Sequence, residues 1–184
     1  MKLIEPPQIH IVLRYHNAFD LTNECLKSLS KCSYSNLKFL IVDDASSDGT
    51  CGDLIKSFKD EINIQSIRVD KYSDYCICLN RGIRYSIQNG ADYVFVVNND
   101  TKNFSTNFFE ALIQKFNSDP NIGVIGSKVF DFDGIVRSDA KPVIRLGTTI
   151  PIPTEGYIFS KDTIKKVGLF DEKLVRHMED FDYV

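Results

Sequence analysis

Asp92-Tyr93-Val94-Phe95-Val96-Val97-Asn98-Asn99-Asp100-Thr101 is the stretch whose reading decides the fold. Tyr93 to Val97 are all apolar or aromatic, with no charge and no glycine, the pattern of a strand buried on both faces of a parallel sheet. The run stops at Asn98-Asn99-Asp100-Thr101, small polar residues that cannot continue a buried strand. Open α/β sheets bind ligands at the carboxyl ends of their strands, so Asp100 is the first candidate for a functional residue. A plain turn is the competing reading, because Asn and Asp favour turns in any protein.

Working outward, Ile9-His10-Ile11-Val12-Leu13 and Leu37-Lys38-Phe39-Leu40-Ile41-Val42 read as two more buried strands. The first ends at Arg14-Tyr15-His16-Asn17 and the second at Asp43-Asp44. Ile62 to Val69 is expected as a third strand and residues 122 to 126 as a further one. Between them, Leu21, Cys25, Leu26 and Leu29 recur at helical spacing with Asp20 as the expected N-cap. Leu54, Ile55 and Phe58 mark a second helix, and Leu79, Ile83 and Ile87 a third, closed by Gly90. Phe108, Phe109, Leu112 and Phe116 mark a fourth that Asp119-Pro120 stops, and Ser160 caps a short one through Val167. Residues 128 to 155 show no sustained period. Alternating strands and helices predict a single α/β domain over residues 1–184, with a mostly parallel, Rossmann-like central sheet and helices on both faces.

The whole chain narrows the function classes. A net charge of −3 without a basic cluster argues against nucleic-acid binding. No apolar run approaches the roughly 20 residues that span a bilayer, and Met1 to Pro7 lacks the apolar core of a signal peptide. Five cysteines, an odd number at no disulfide-scaffold spacing, point to a reducing cytoplasm. Cys76 and Cys78 have the wrong gap for a zinc knuckle and read as buried small hydrophobes.

Three acidic groups stand at strand ends or late in the chain: Asp43-Asp44, Asp100 and Glu179-Asp180-Phe181-Asp182. If the first tips share a sheet edge, they repel a phosphate unless a hard cation intervenes. Mg²⁺ or Mn²⁺ takes one or two carboxylates and leaves positions for water and substrate phosphates. Neither GxxxxGK[ST] nor GxGxxG after the first strand is present. A metal-assisted site for a nucleotide diphosphate is the resulting expectation.

Taken in order, the motifs resemble those of family 2 glycosyltransferases, especially the rhamnosyltransferase-like branch. Ile11 to Asn17 resembles that family's opening strand and tip, and Leu40 to Thr50 its nucleotide-binding signature. Asn80-Arg81-Gly82 resembles its Asn-x-Gly segment, and Asn98-Asn99-Asp100-Thr101 a variant of its DxD metal motif. Gly168 to Glu172, followed by Glu179 to Asp182, resembles the late acceptor-side motif. The resemblance covers roughly residues 8 to 184 and implies a GT-A type domain that transfers a sugar from a nucleotide-diphosphate sugar to an acceptor hydroxyl with inversion. It implies that Asp44 bonds the base, Tyr15 lies against it and Asp43 supports the pocket, with Asn80 and Asn99 also facing substrate. It implies that Asp100 binds Mg²⁺ or Mn²⁺, that Asp180 is the general base and that Glu179 shapes the acceptor site. The implied partners are the donor and a glycan or lipid-linked glycan acceptor in surface polysaccharide synthesis, at a cytoplasmic location with possible contact to the inner face of a membrane.

Each residue also has a plainer reading: Tyr15 as core, Asp43 as a turn, Asp48 as a helix cap, Glu179 and Asp182 as solvated acids. His177 is read as structural rather than as a ligand. Two departures from the family pattern bear on activity. Ser73 to Leu79 contains no glycine where the branch is glycine-rich, and the sequence stops at Val184, so an incomplete acceptor side is expected. Arg14 can pair with a phosphate, with Asp43 or with Asp44, and the sequence leaves these open. A non-catalytic nucleotide-sugar-binding or interaction module is therefore the alternative function; a receiver-like phosphoacceptor domain ranks below both.

Overall fold

The computed structural model describes residues 5–127, 130, 143–145 and 155–173, with only the backbone described at 143–145. The strands are β1 (Ile9–Tyr15), β2 (Leu37–Asp44), β3 (Ile64–Val69), β4 (Tyr93–Val97), β5 (Ile122–Gly126), β6 (Val143–Arg145) and β7 (Gly156–Ser160). The helices are α1 (Phe19–Leu29), α2 (Cys51–Phe58), α3 (Tyr75–Gln88), α4 (Phe108–Ser118) and α5 (Lys161–Val167). All the strands join one sheet in the order β3-β2-β1-β4-β7-β5-β6. β1 lies between β2 and β4 and is parallel to both, while β7 runs antiparallel between β4 and β5.

Strand alternation sorts the core into two layers. Ile9, Ile11, Leu13 and Tyr15 of β1, with Phe39 and Ile41 of β2, face α1, α2 and α4. There Cys25, Leu26, Leu54 and Phe109 bury against them, and Phe95 meets Phe104, Phe108 and Phe109 edge-on. Val12, Leu40, Val42, Val94 and Val96 face the other way, onto Cys76, Cys78, Leu79 and Ile83 of α3 and Ile164 of α5. Helices therefore cover both faces, as expected. Cys76 and Cys78 are buried apolar groups.

Some local expectations need correction. Ala18, not Asp20, occupies the N-cap of α1; Asp20 sits inside the first turn, where its charge complements the helix dipole. β3 begins at Ile64 rather than Ile62, whose side chain packs onto the core from the preceding turn. β7 lies just past the stretch without a sustained period. Ser160 does cap α5, its hydroxyl accepting from the Thr163 amide at 3.1 Å. Gly90, at φ +90°, follows the α3 C-cap in the left-handed conformation.

One glycine sets how closely α3 approaches the sheet. A Cβ at Gly82 would lie 2.5 Å from Val12 Cγ1 and 3.0 Å from Val42 Cγ2, inside both side chains. Gly82→Ala is expected to lower stability by about 2 kcal/mol in urea unfolding, overpacking outweighing the alanine's gain in helix propensity. Gly52 in α2 has nothing within 4 Å of its would-be Cβ, so Gly52→Ala is expected to stabilise by about 0.5–1 kcal/mol.

A buried histidine gives the fold a pH dependence. His10 is 0% exposed; Nε2 meets Gln8 Oε1 at 3.1 Å, and Nδ1 has no hydrogen-bond partner among the described residues. Burial first, and then the nearby Lys38 charge, pull its pKa from 6.5 to about 4, against a smaller opposing effect of Asp92. The unfolded chain thus binds the proton more readily, so stability is full above about pH 6.5 and falls as the pH drops toward 4. Urea unfolding across that window should show a slope of up to about 1.4 kcal/mol per pH unit from this group, which His10→Met removes.

Candidate functional site

Because β1, β2 and β4 are parallel, their polar carboxyl ends meet on one edge of the sheet. Register pairs Tyr15 with Asp43, and period-two alternation then sends Asp43 to the α1/α2 face and Asp44, with Arg14, to the α3 face. The adjacent carboxylates do not form one acidic pair; each has its own arginine. Asp44 is 0% exposed, and its Oδ2 accepts from Arg14 Nε at 2.9 Å and Nη2 at 2.5 Å. Its Oδ1 accepts from the Ser73 amide at 2.8 Å and the Ser73 hydroxyl at 3.1 Å. Burial works against the Arg14 charge, but hydrogen bonds to Tyr72 and Asp44 outweigh it and hold the guanidinium pKa above its ordinary value. Asp43 accepts from Arg68 Nη1 at 2.5 Å and from the Ser46 amide at 3.0 Å. Of the partners open to Arg14, the folded chain uses Asp44.

Tyr15, in phase with Ile9, Ile11 and Leu13, is fully buried. Its hydroxyl bonds that of Thr50 and lies 3.5 Å from Asp48 Oδ2. Burial raises the phenol pKa above its ordinary value. Asp48 also accepts from the Thr50 amide at 3.1 Å, turning the chain into α2. The aromatic groups reaching outward at this tip are His16 and Tyr72. His16 Nδ1 donates to the Asp44 carbonyl at 2.7 Å, and its ring meets Tyr72 edge-on at 4.7 Å. The Arg14 guanidinium sits 5.1 Å over the Tyr72 ring. Asn17, in the left-handed region at φ 48°, accepts from the Ser47 amide at 2.9 Å and so ties the β1 and β2 loops together.

At the β4 tip, Asn98 Oδ1 accepts from the Tyr75 hydroxyl at 2.8 Å, and Asn99 Nδ2 donates to Thr22 Oγ1 at 2.9 Å. Asp100 is exposed, and no hydrogen bond or ion pair joins it to another described residue. Its charge nonetheless reaches inward: burial first and Asp100 second push the Cys25 thiol up to about 12. No group of three or more His, Cys, Asp or Glu among the described residues could hold a metal by itself. One exposed carboxylate fits an ion whose other ligands are water and a diphosphate, the usual habit of Mg²⁺.

Asn80 is 0% exposed and faces protein rather than the sheet edge. It clamps the chain after α5: Oδ1 accepts from the Phe170 amide at 3.0 Å, and Nδ2 donates to the Phe170 carbonyl at 2.9 Å and to Glu172 Oε1 at 3.0 Å. Arg84 Nη2 adds a bond to Glu172 at 3.1 Å. Glu179, Asp180 and Asp182, and His177 with them, lie outside the described residues. Arg68 and Tyr72 are site neighbours that motif reading passes over; the alternation that buries Tyr15 is the one signal visible in the sequence. Asn80→Ala removes two hydrogen bonds to the buried Phe170 backbone and one to Glu172, and should destabilise the chain by about 1–3 kcal/mol in urea unfolding, whereas Arg84→Ala, at an exposed pair, should change it by less than about 1 kcal/mol.

Solved structures with this fold include a mannosyltransferase from Pyrobaculum calidifontis in complex with GDP-Man and Mn²⁺, at TM-score 0.73 and 18% identity over 97% of this chain and 51% of that one. They also include Staphylococcus aureus TarS 1-349 in complex with UDP-GlcNAc, at TM-score 0.75 and 16% identity over 96% and 52%. The chain thus spans about half the length of these neighbours. No curated protein sequence matches it. The model of Glycosyl transferase family 2 matches residues 10–180, nearly the whole sequence, and the chain therefore belongs to that family.

Proposed function

We propose that this chain carries the donor half of a metal-dependent, inverting glycosyltransferase acting on a nucleotide-diphosphate sugar. The observation that carries the reading is the division of charge at the sheet edge. Asp43 and Asp44 are neutralised by Arg68 and Arg14, while Asp100 at the β4 tip stays exposed. An edge whose buried acids are compensated and whose β4 tip carries an outward carboxylate suits a diphosphate that arrives with a cation. When bound, Mg²⁺ or Mn²⁺ would neutralise the diphosphate and make it a good leaving group without a general acid.

Asp100 holds that ion, and Asn99, fixed by Thr22, stands beside it toward the substrate. Asp43, Asp44 and Tyr15 build the floor of the base pocket, and Asn80 orients the chain leading to the acceptor side. Asp180 takes the proton of the acceptor hydroxyl as its oxygen attacks the anomeric carbon from the face opposite the leaving diphosphate, which inverts the centre. Glu179 shapes the acceptor site. The transferred sugar is a hexose or rhamnose, and the acceptor a surface polysaccharide or lipid-linked glycan precursor. The work is done in the cytoplasm, at the inner face of the membrane where such acceptors are anchored. The neighbours' GDP-Man and UDP-GlcNAc support a nucleotide-sugar donor. No helix among the described residues is long and apolar enough to cross a membrane.

The rival is a binding module that holds the donor without transfer. It is favoured by the glycine-free 73–79 segment and by an Asp44 whose oxygens are already engaged. Calorimetric titration with UDP, dTDP and GDP, with and without Mn²⁺, tests the donor site. One nucleotide should bind only with the metal, and at least about tenfold more weakly in Asp100→Ala. No binding by any of them, or binding indifferent to both metal and Asp100, sinks the reading. Slow hydrolysis of the matching nucleotide-sugar, lost in Asp100→Ala, then favours the enzyme over the module.

A further inference from the structure

We infer that Tyr75 is a positioning residue for the cation: its hydroxyl braces the turn that carries Asp100 and holds that carboxylate in one outward pose. This rests on the donor-site reading above and adds to it a residue that acts through Asn98. The turn at residues 98–101 follows β4, and the alternation of the strand continues into it. Asn98 keeps the phase of Val94 and Val96 on the α3 face, and Asn99 that of Phe95 and Val97 on the α1 face. Each meets one hydroxyl from the helix on its own side. The Tyr75 hydroxyl donates to Asn98 Oδ1 at 2.8 Å, and Asn99 Nδ2 donates to Thr22 Oγ1 at 2.9 Å.

Backbone bonds close the base of this turn. The Thr101 amide donates to the Asn98 carbonyl at 3.2 Å, and the Asn98 amide and Thr101 hydroxyl donate to the Glu155 carbonyl at 3.1 and 3.2 Å. A turn held only at its base can still rock toward either face of the sheet. Side-chain bonds from both faces remove that freedom. On one face Thr22 is 0% exposed, and its hydroxyl also donates to the Ala18 carbonyl at 2.8 Å, so its position is set. On the other, Tyr75 comes from the first turn of α3, and its ring packs against the core beneath the helix. A packed ring carries its polar handle to one place. Asp100, the next residue but one after Asn98, is left exposed.

The glycine-free segment from Ser73 to Leu79 thereby gains a function. Ser73 donates to Asp44 at the β2 tip, and Tyr75 donates to Asn98 at the β4 tip. A glycine, without a side chain, could supply neither bond. Fixing the turn before a ligand arrives spares the cost of ordering it on binding, so the hydroxyl should strengthen the binding of a nucleotide diphosphate that comes with its cation.

Tyr75→Phe removes the hydroxyl and keeps the packed ring. Tyr85→Phe is the control: Tyr85 lies later in the same helix, and its hydroxyl donates to Gln65 Oε1 at 3.2 Å, near the start of β3 and away from the strand tips. Calorimetric titration with UDP, dTDP and GDP in saturating Mn²⁺ compares wild type, both variants, Asn98→Ala, and Asn98→Ala combined with Tyr75→Phe. For the nucleotide that wild type binds, Tyr75→Phe and Asn98→Ala should each weaken binding by about fivefold, the worth of one hydrogen bond, and Tyr85→Phe by less than about twofold. In the Asn98→Ala background, Tyr75→Phe should add less than about twofold, because the hydroxyl has lost the group through which it acts. Binding by Tyr75→Phe within about twofold of wild type overturns the inference, and so does an equal loss in Tyr85→Phe, the sign of a general loosening of α3. A full loss from Tyr75→Phe without Asn98 overturns it too, since the hydroxyl would then act on the ligand directly. A loss in Asn98→Ala far beyond fivefold makes Asn98 itself a ligand and also overturns it. All of these leave the donor site standing. If wild type binds none of the nucleotides, or Asp100→Ala binds as wild type does, the donor-site reading fails and this inference fails with it.

Discussion

The shared register of β1 with its two parallel neighbours is the constraint on which the rest of the sheet edge depends. β1 is hydrogen-bonded along its length to β2 and also to β4, so one alignment fixes three strand tips at once. Side chains alternate with period two, and a slip of a single residue would move every one of them to the other face. The hydrophobic pattern forbids that slip. Ile9, Ile11 and Leu13 would be driven toward α3, and His10, Val12 and Arg14 toward α1. With the register held, the direction of each polar group at the tip follows without further choice: Tyr15 and Asp43 go one way, Arg14 and Asp44 the other.

That geometry places two carboxylates in nearly dry surroundings, and an unpaired charge there would neutralise or destabilise the fold. The chain answers with one arginine per face. Arg14 comes from the strand beside Asp44, and Arg68 from β3 on the far side of β2, paired in register with Asp43. Removing either arginine would leave a buried carboxylate without its compensating charge, so these pairs fix conformation more than they add net stability. Their consequence for chemistry is that the run of acids at the β2 tip carries little net charge. Asp100, at the β4 tip, is exposed, and an anionic ligand with its cation meets a less repulsive surface at the β2 tip than the bare sequence suggests.

How far the sequence discloses this varies with the distance over which each feature is determined. β1, β2, β4, β5 and the four longer helices are legible because their periodicity is local and strong. β7 is not: its apolar core is only Tyr157-Ile158-Phe159, it follows a proline-bearing stretch, and it exists because Val94 and Phe95 of β4 pair with Phe159 and Ile158 far along the chain. At the site, the acids at the tips are visible as residues, but their partners are not. Arg68 and Ser73 lie 25 and 29 positions from the carboxylates they bond. Tyr15 is the instructive case. Its place in the Ile9-Ile11-Leu13 phase is in plain view and makes it core, whereas its position beside a motif draws it toward a ligand role. Periodicity is enforced by burial, which every residue of a strand feels; motif position describes only the backbone's path.

Helix α3 joins what the strands leave separate. Ser73, just ahead of it, holds Asp44 at the β2 tip; Tyr75 in its first turn bonds Asn98 at the β4 tip; Asn80 and Arg84 grip the chain after α5. These contacts span the sheet edge from one tip to the other and on to the chain after α5, and all depend on how deeply the helix sits. Gly82 sets that depth, because its missing side chain lets α3 rest directly on Val12 and Val42. A methyl group there cannot be absorbed by rotating a long side chain, since both neighbours are β-branched and locked in the core. The helix would have to lift, and the three sets of contacts would loosen together. The glycine of the Asn-x-Gly segment therefore acts through packing in this chain: it holds the strand tips and the segment after α5 at one fixed separation.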